Sequence, residues 1–237
     1  MNYGYKDSTE LTPGKQGGKF GLNVGTVTKF EYNSNAGVNS AALDAIDFTV
    51  QISEKEYRLR FFPITKAWSK SGGEIIDTST KEYKDSIHEQ IVQLNATLSD
   101  IVKCFVDEDI LKKALSTTIN SFKNYAEILQ RLVQGTTNWD KKLVDVFLQY
   151  QWKPTGDNDK TYLELPKNVK QGIFIVKSLG EGFVEQKSEN SLRYVNAQGL
   201  VHPFKRGEWF LNSAYAKQTN LTEVQKDIFT SGGSSEW

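Results

Sequence analysis

The sequence predicts an α+β fold, and three observations lead to it. Apolar residues alternate at period two in the first and last thirds of the chain. They recur at three-to-four spacing in the middle third, and clusters of turn-forming residues separate the segments. The resulting order is strand, strand, strand, helices, strand, strand. That order fits an OB-fold-like β-barrel carrying a long helical insertion between its third and fourth strands. A generic α+β sheet with a helical layer is the competing architecture.

Taken in order, residues 1–18 are a flexible lead-in ending in Pro-Gly-Lys-Gln-Gly-Gly, and residues 19–217 form the barrel domain. Phe20, Leu22, Val24, Thr26, Thr28, Phe30 and Tyr32 alternate along the first strand, with Gly21 and Gly25 marking a bend or bulge. Ile46, Phe48, Val50 and Ile52 share one face of the second strand, and Asp47, Thr49 and Gln51 share the other. Residues 53–56 make the turn. In the third strand, 57–62, Tyr57, Leu59 and Phe61 face one way and Arg58, Arg60 and Phe62 the other; Pro63 limits it. The insertion, 80–135, reads as two amphipathic helices over 87–105 and 111–132. Asp107 or Asp109 is placed to cap the second, and Gly135 to stop it. Strands return at 143–152 and 161–165, around a turn at 153–160 and before Pro166. A short apolar strand at 172–176 and a small hairpin of 192–195 with 199–202 follow. The last segment, 218–237, is a short helix near 221–229 and a polar tail.

Composition narrows the class. The chain has 237 residues, enough to bury a substantial core without staples. A single cysteine, Cys104, rules out an intrachain disulfide and fits a reducing compartment. The polar, glycine-rich start does not read as a signal peptide, and no apolar run approaches the roughly 18 residues of a membrane span. A cytoplasmic protein with no membrane association is expected. Net charge is zero, with 29 basic and 29 acidic residues, which counts against a generic nucleic-acid binder. The balance is uneven, however. Residues 77–138 carry 7 basic and 9 acidic side chains, whereas the strand-rich residues 139–177 carry 7 and 5.

Two stretches carry a family likeness. One is Phe20-Gly-Leu-Asn-Val-Gly-Thr-Val-Thr-Lys-Phe-Glu-Tyr32, leading to Tyr57-Arg-Leu-Arg-Phe-Phe-Pro63. The other is Phe147-Leu-Gln-Tyr-Gln-Trp152, with Thr161-Tyr-Leu-Glu-Leu-Pro-Lys-Asn168 and Gly172-Ile-Phe174. In these the chain resembles phage-encoded single-stranded DNA-binding proteins, in particular those of large tailed phages infecting gut bacteria. The likeness spans the expected barrel and leaves the helical insertion largely unmatched. It implies an OB fold and binding of single-stranded DNA with little sequence preference, in DNA replication, recombination or repair, in the host cytoplasm. Many single-strand binders end in an acidic tail with a terminal aromatic that docks replication or recombination proteins. Here the chain ends Gly232-Gly-Ser-Ser-Glu-Trp237, which keeps the aromatic and lacks the acidic run.

Binding an unpaired strand requires cations along the phosphates and exposed rings to stack on bases. Three clusters combine the two. Arg58, Arg60 and Phe62 share a strand face, with Lys66 and Trp68 on the segment that follows. Tyr150, Trp152 and Lys153 approach the 153–160 turn, with Lys160 and Tyr162 returning from it. Lys29, Phe30 and Tyr32 close the first strand as a weaker candidate. The bland alternative for the first is that Tyr57 and Phe61 are core and the arginines merely solvated, and for the second that Tyr150 and Trp152 are partly core.

Signals of catalysis are weak, and no enzyme activity, cofactor or metal is expected. Gly14-Lys-Gln-Gly-Gly-Lys-Phe20 lacks the Gly-x4-Gly-Lys-Ser/Thr spacing of a phosphate loop, and Gly180-Glu-Gly182 lacks a dinucleotide site's third glycine. His88 reads as exposed, His202 has no evident partner, and Cys104 reads as core. Asp107-Glu108-Asp109 fits helix capping better than cation binding. A protein-interaction or structural accessory factor of a phage replisome or virion is the alternative to strand binding.

Overall fold

The structure, a computed structural model, describes residues 17–19, 21–36, 43–69, 72–116, 119–153, 160–166, 173–188 and 191–204. The expected C-terminal helix and tail, and nearly all of the lead-in, lie outside these residues. In chain order the elements are β1 (Gly21–Asn33), β2 (Ala45–Ile52), β3 (Lys55–Phe61), β4 (Ala67–Trp68), β5 (Glu74–Ile75), α1 (Lys81–Val102), α2 (Glu108–Ala114), α3 (Phe122–Gln134), β6 (Leu143–Lys153), β7 (Lys160–Glu164), β8 (Ile175–Lys177), β9 (Val184–Ser188) and β10 (Ser191–Val195). A 3-10 turn, Trp139–Lys141, leads into β6.

Strands β3-β2-β1-β6-β7 pair antiparallel in that spatial order, forming a nearly closed five-strand barrel, with β8 also on β6. The three helices complete an α+β architecture consistent with an OB-like fold. Three consecutive strands followed by one that returns beside the first is a Greek-key path. The return is made by β6, after the helices.

The long strand β1 serves both halves of the barrel. Gly21–Thr26 pairs with β6, and Thr26–Asn33 pairs with β2. Gly25 sits at the changeover, where a Cβ would lie 2.6 Å from the Gln51 carbonyl oxygen and 2.9 Å from the Val50 and Ile52 side chains. The register shifts between Val27 and Lys29, leaving Thr28 as the extra residue of a bulge. A bulge resets the alternation of faces. Val27 and Phe30 are therefore both buried, while Val24 is exposed. The unbroken alternation read from the sequence does not survive it.

Apolar side chains of β1–β3 (Phe30, Phe48, Val50, Tyr57) meet those of β6 (Val144, Val146, Phe147) and of the helices (Leu98, Ile101, Leu129, Val133) in one continuous core. Phe30 and Phe48 are cross-strand partners whose rings meet edge-on at 6.4 Å. Both faces of β6 are covered, so Val144 to Gln149 are all buried.

Three helices replace the expected two. Thr80 caps α1, its hydroxyl accepting the Tyr83 N–H at 3.2 Å. Asp107 occupies the N-cap of α2 without a side-chain bond. The apolar periodicity that spans 111–132 is interrupted because Ser121 caps a new helix, α3, through the Asn124 N–H at 3.2 Å. Gly135 ends α3 as expected.

The C-terminal hairpin also differs from the sequence reading. Ser191–Val195 pairs along its length with Val184–Ser188, and meets the 199–202 segment at a Val195–Val201 bridge, where the His202 N–H donates to the Tyr194 carbonyl at 2.8 Å. The Tyr194 hydroxyl fastens this ribbon to β1: it accepts the Leu22 N–H at 3.1 Å and donates to Glu185 at 2.9 Å. Gly21 lies against that hydroxyl at φ +90°, a position where a Cβ would overlap the phenol oxygen. No helix among the described residues is long and apolar enough to cross a membrane.

Candidate nucleic-acid interface

The outer face of β1–β3 is where charge and open space coincide. The two-residue turn Ser53–Glu54 closes the β2–β3 hairpin, with Ile52 opposite Lys55 and Ser53 at φ +53°. That register points Tyr57, Leu59 and Phe61 inward, and leaves Arg58, Arg60 and Phe62 on the outer side, as the alternation requires. Two rows of residues run across the three strands: Glu31, Asp47 and Arg60 in one, Lys29, Thr49 and Arg58 in the next. With Phe62 at the end of β3 they line a cleft of about 800 Å³.

Every cation of this face meets a carboxylate. Arg60 donates from Nε to Asp47 Oδ1 at 2.6 Å and from Nη1 to the Ala36 carbonyl at 2.9 Å. Lys29 Nζ lies 2.6 Å from Glu31 and 3.4 Å from Asp47. Arg58 pairs with Glu56 at 2.5 Å, both well exposed. Among the described residues the cleft therefore carries three positive and three negative side chains. Burial opposes ionisation of Asp47, but Arg60, Asn33 and Lys29 outweigh it and hold the carboxyl below its ordinary range. The hydrogen-bonded Glu31 carboxylate is the main cause that raises the Lys29 pKa above its usual value.

The expected residues divide. Lys29, Arg58, Arg60 and Phe62 come together, and the Phe62 ring is 40% exposed over the cleft. Phe30 is a correction: its side chain is wholly buried because the bulge turns it inward, so it offers no ring to a base. Tyr32 is also corrected. Its hydroxyl donates to Asp44 at 2.5 Å, its N–H donates to Gln130 of α3, and Lys123 lies 6.0 Å from its ring centre. It is held between the barrel and α3 and does not line the cleft. That bond to Asp44 pushes the Tyr32 phenol up to about 12.

Lys66 just precedes the β4–β5 ribbon and Trp68 is part of it; both are bound to α1, and neither lines the cleft. Lys66 pairs with Glu74 at 2.9 Å, and Gln90 donates to its carbonyl. The Trp68 N–H donates to Ser86, and its indole is 48% exposed. The second cluster lies on the β6–β7 hairpin, which pairs as expected. Tyr150 stands opposite Leu163, Trp152 opposite Thr161, and Lys153 opposite Lys160. Tyr162 stands opposite Gln151. The side chains of these five candidates lie outside the described part of the structure.

Comparison with protein-family models, with curated proteins and with solved structures finds no significant match to this chain.

Sequence reasoning missed the three carboxylates as partners of the site. The signal existed for Asp47, which alternation places on the face opposite Phe48, but nothing in the sequence paired it with Arg60. It also missed a buried pair beneath the other side of β6. His202 Nε2 lies 3.0 Å from Asp145 Oδ2, with both side chains closed to solvent. The Leu179 N–H donates to the same oxygen, and the imidazole sits between the rings of Phe183 and Phe204. The histidine expected to have no partner is thus an interior one.

Proposed function

We propose that this chain is a single-stranded DNA-binding protein that holds an unpaired strand along the outer face of β1–β3. The observation that carries the reading is the placement of Arg58 and Arg60 on one face of β3 and of Phe62 just past its end, with Lys29 across from them over an open cleft. Two guanidinium groups and an ammonium suit phosphates, and an exposed ring suits a base; neither contact reads sequence. The fold supports the reading by position. The reading takes β1, β2, β3, β6 and β7 as the five barrel strands, with the helices inserted between the third and fourth. OB barrels use the face of their second and third strands for oligonucleotides. The resemblance to phage-encoded single-strand binders supplies the DNA and the setting in replication or recombination.

The reading is of a binding protein without catalysis. Glu31, Asp47 and Glu56 are each engaged by a cation, which leaves none of them poised as a general base. A second reading, an accessory factor that docks proteins, is favoured by a different surface. Pro63, Ile64, Ile91, Leu94, Leu115 and Phe122 line an apolar groove of about 570 Å³ between the β3 exit and the helices.

Fluorescence anisotropy with labelled oligo-dT, against duplex of equal length and over a range of salt, tests the proposal. Three cations set an upper limit of about −2 on the slope of log K against log salt from this face. Phe62→Ala is expected to weaken binding by about 1–3 kcal/mol. Absent binding, or equal affinity for duplex and single strand with no salt dependence, refutes it.

A further inference from the structure

Asp47 stands at the centre of the cleft-lining rows, on the middle strand of three. Its side chain is only 10% exposed, yet the two cations it holds, Arg60 and Lys29, are each about two-fifths exposed toward solvent. The carboxylate is held by four contacts: Arg60 Nε at 2.6 Å, Arg60 Nη2 at 3.4 Å, Lys29 Nζ at 3.4 Å and Asn33 Nδ2 at 3.0 Å. A guanidinium has five N–H donors. Here Asp47 takes two and Ala36 a third. The arrangement is that of an oxyanion already seated where a phosphate would go.

We propose that Asp47 is a built-in competitor for the strand: an internal stand-in for phosphate that occupies Arg60 and Lys29 until nucleic acid takes its place. This rests on the strand-binding reading of the same face. The physical consequence is specific. A cation neutralised by its own protein releases little counter-ion when a phosphate arrives, so it adds little to the salt dependence of binding. The incoming phosphate must also approach a fixed negative charge, which weakens the contact further. The three pairs are graded. Arg58 and Glu56 are both largely in solvent, where such a pair is worth little and yields readily. Arg60 and Asp47 are bound by a fork and shielded. Asp47 therefore restricts the face to partners that present several phosphates at once, and keeps it from gathering single anions.

The test uses the full chain and labelled oligo-dT. Asp47→Asn keeps the shape and an acceptor for Arg60 while removing the charge. Freed cations each add about 0.7 to the magnitude of the slope of log K against log salt. One freed cation corresponds to roughly fivefold tighter binding at 0.1 M than at 1 M salt, and two to roughly 25-fold. The expected result is tighter binding at low salt with a slope steeper by up to about 0.7. Glu31→Gln, at an exposed partner of Lys29, reads the same effect without disturbing a buried group, and is expected to steepen the slope by up to about 0.7. Glu82→Gln, in the first turn of α1 and outside the cleft, controls for net charge and is expected to change neither quantity. If Asp47→Asn and Glu31→Gln bind as wild type or more weakly, with an unchanged or shallower slope, Asp47 is a positioning residue for Arg60 and the proposal falls. If wild type and both variants all fail to bind, the strand-binding reading itself falls and takes this one with it.

Discussion

Removing the His202 imidazole is expected to cost more stability than any surface change in this protein. Asp145 sits on β6 with its side chain sealed from water, and its Oδ2 receives His202 Nε2 at 3.0 Å and the Leu179 N–H at 2.9 Å. The Phe204 N–H points at His202 Nδ1 at 3.4 Å, which makes that nitrogen the acceptor and leaves the proton on Nε2, facing Asp145. Among the described residues, Oδ1 of Asp145 has no hydrogen-bond partner. In His202→Ala the carboxylate therefore keeps one bond, from Leu179, and the rings of Phe183 and Phe204 face a void. Breaking a buried pair from one side costs about 3–5 kcal/mol, out of a total stability of about 5–15 kcal/mol. With a urea m-value of about 3 kcal/mol per molar, the unfolding midpoint falls by roughly 1–2 M. The double variant Asp145→Leu/His202→Leu removes the charge together with its partner, and is expected to cost clearly less than the sum of the two single changes. Urea unfolding followed by tryptophan fluorescence and far-UV circular dichroism measures wild type, His202→Ala, Asp145→Leu, His202→Leu and the double variant. A loss under about 1 kcal/mol for His202→Ala, or single costs that add within about 0.5 kcal/mol, refutes the reasoning.

Other consequences are separable. Phe30→Ala is expected to cost about 3–5 kcal/mol in denaturant unfolding, because the ring is core, whereas Phe62→Ala changes stability by no more than about 0.5 kcal/mol; equal costs would contradict the placement of the bulge. Gly25→Ala forces a methyl against the Gln51 carbonyl and is expected to lower stability by about 1–3 kcal/mol, read as a drop in melting temperature. Burial, with Asp100 and Asp145 nearby, pushes the Cys104 thiol far up, so alkylation should be undetectable in the native protein and complete in denaturant. The Asp47 carboxyl is held below its ordinary range in the folded chain. Its contribution to stability is therefore present above the unfolded-state value of about 3.9 and is lost as pH falls through the lower folded value. Melting curves should show wild type and Asp47→Asn converging in strong acid; a gap that persists there would contradict the ion-pair assignment.

The sequence by itself determined the strands and helices that local pattern can encode. Alternation at Tyr57, Leu59 and Phe61 put Arg58, Arg60 and Phe62 on one outer face, because a pleated strand leaves no other choice. The β6–β7 pair and the Gly135 helix stop were legible for the same reason: turn chemistry and helix ends are set by neighbours in the chain. What crosses between elements was not legible. The Thr28 bulge reverses which side of β1 faces inward, and it exists only in register with β2, so Phe30 read as a surface ring. Ser121 interrupts an apolar pattern that periodicity alone runs through, because its hydroxyl starts a new helix. Asp47 and Arg60 are 13 residues apart, and Asp145 and His202 are 57 apart. Such pairs are made when tertiary packing removes their water and leaves each the other's hydrogen-bond partner, and a one-dimensional pattern carries no distance between strands.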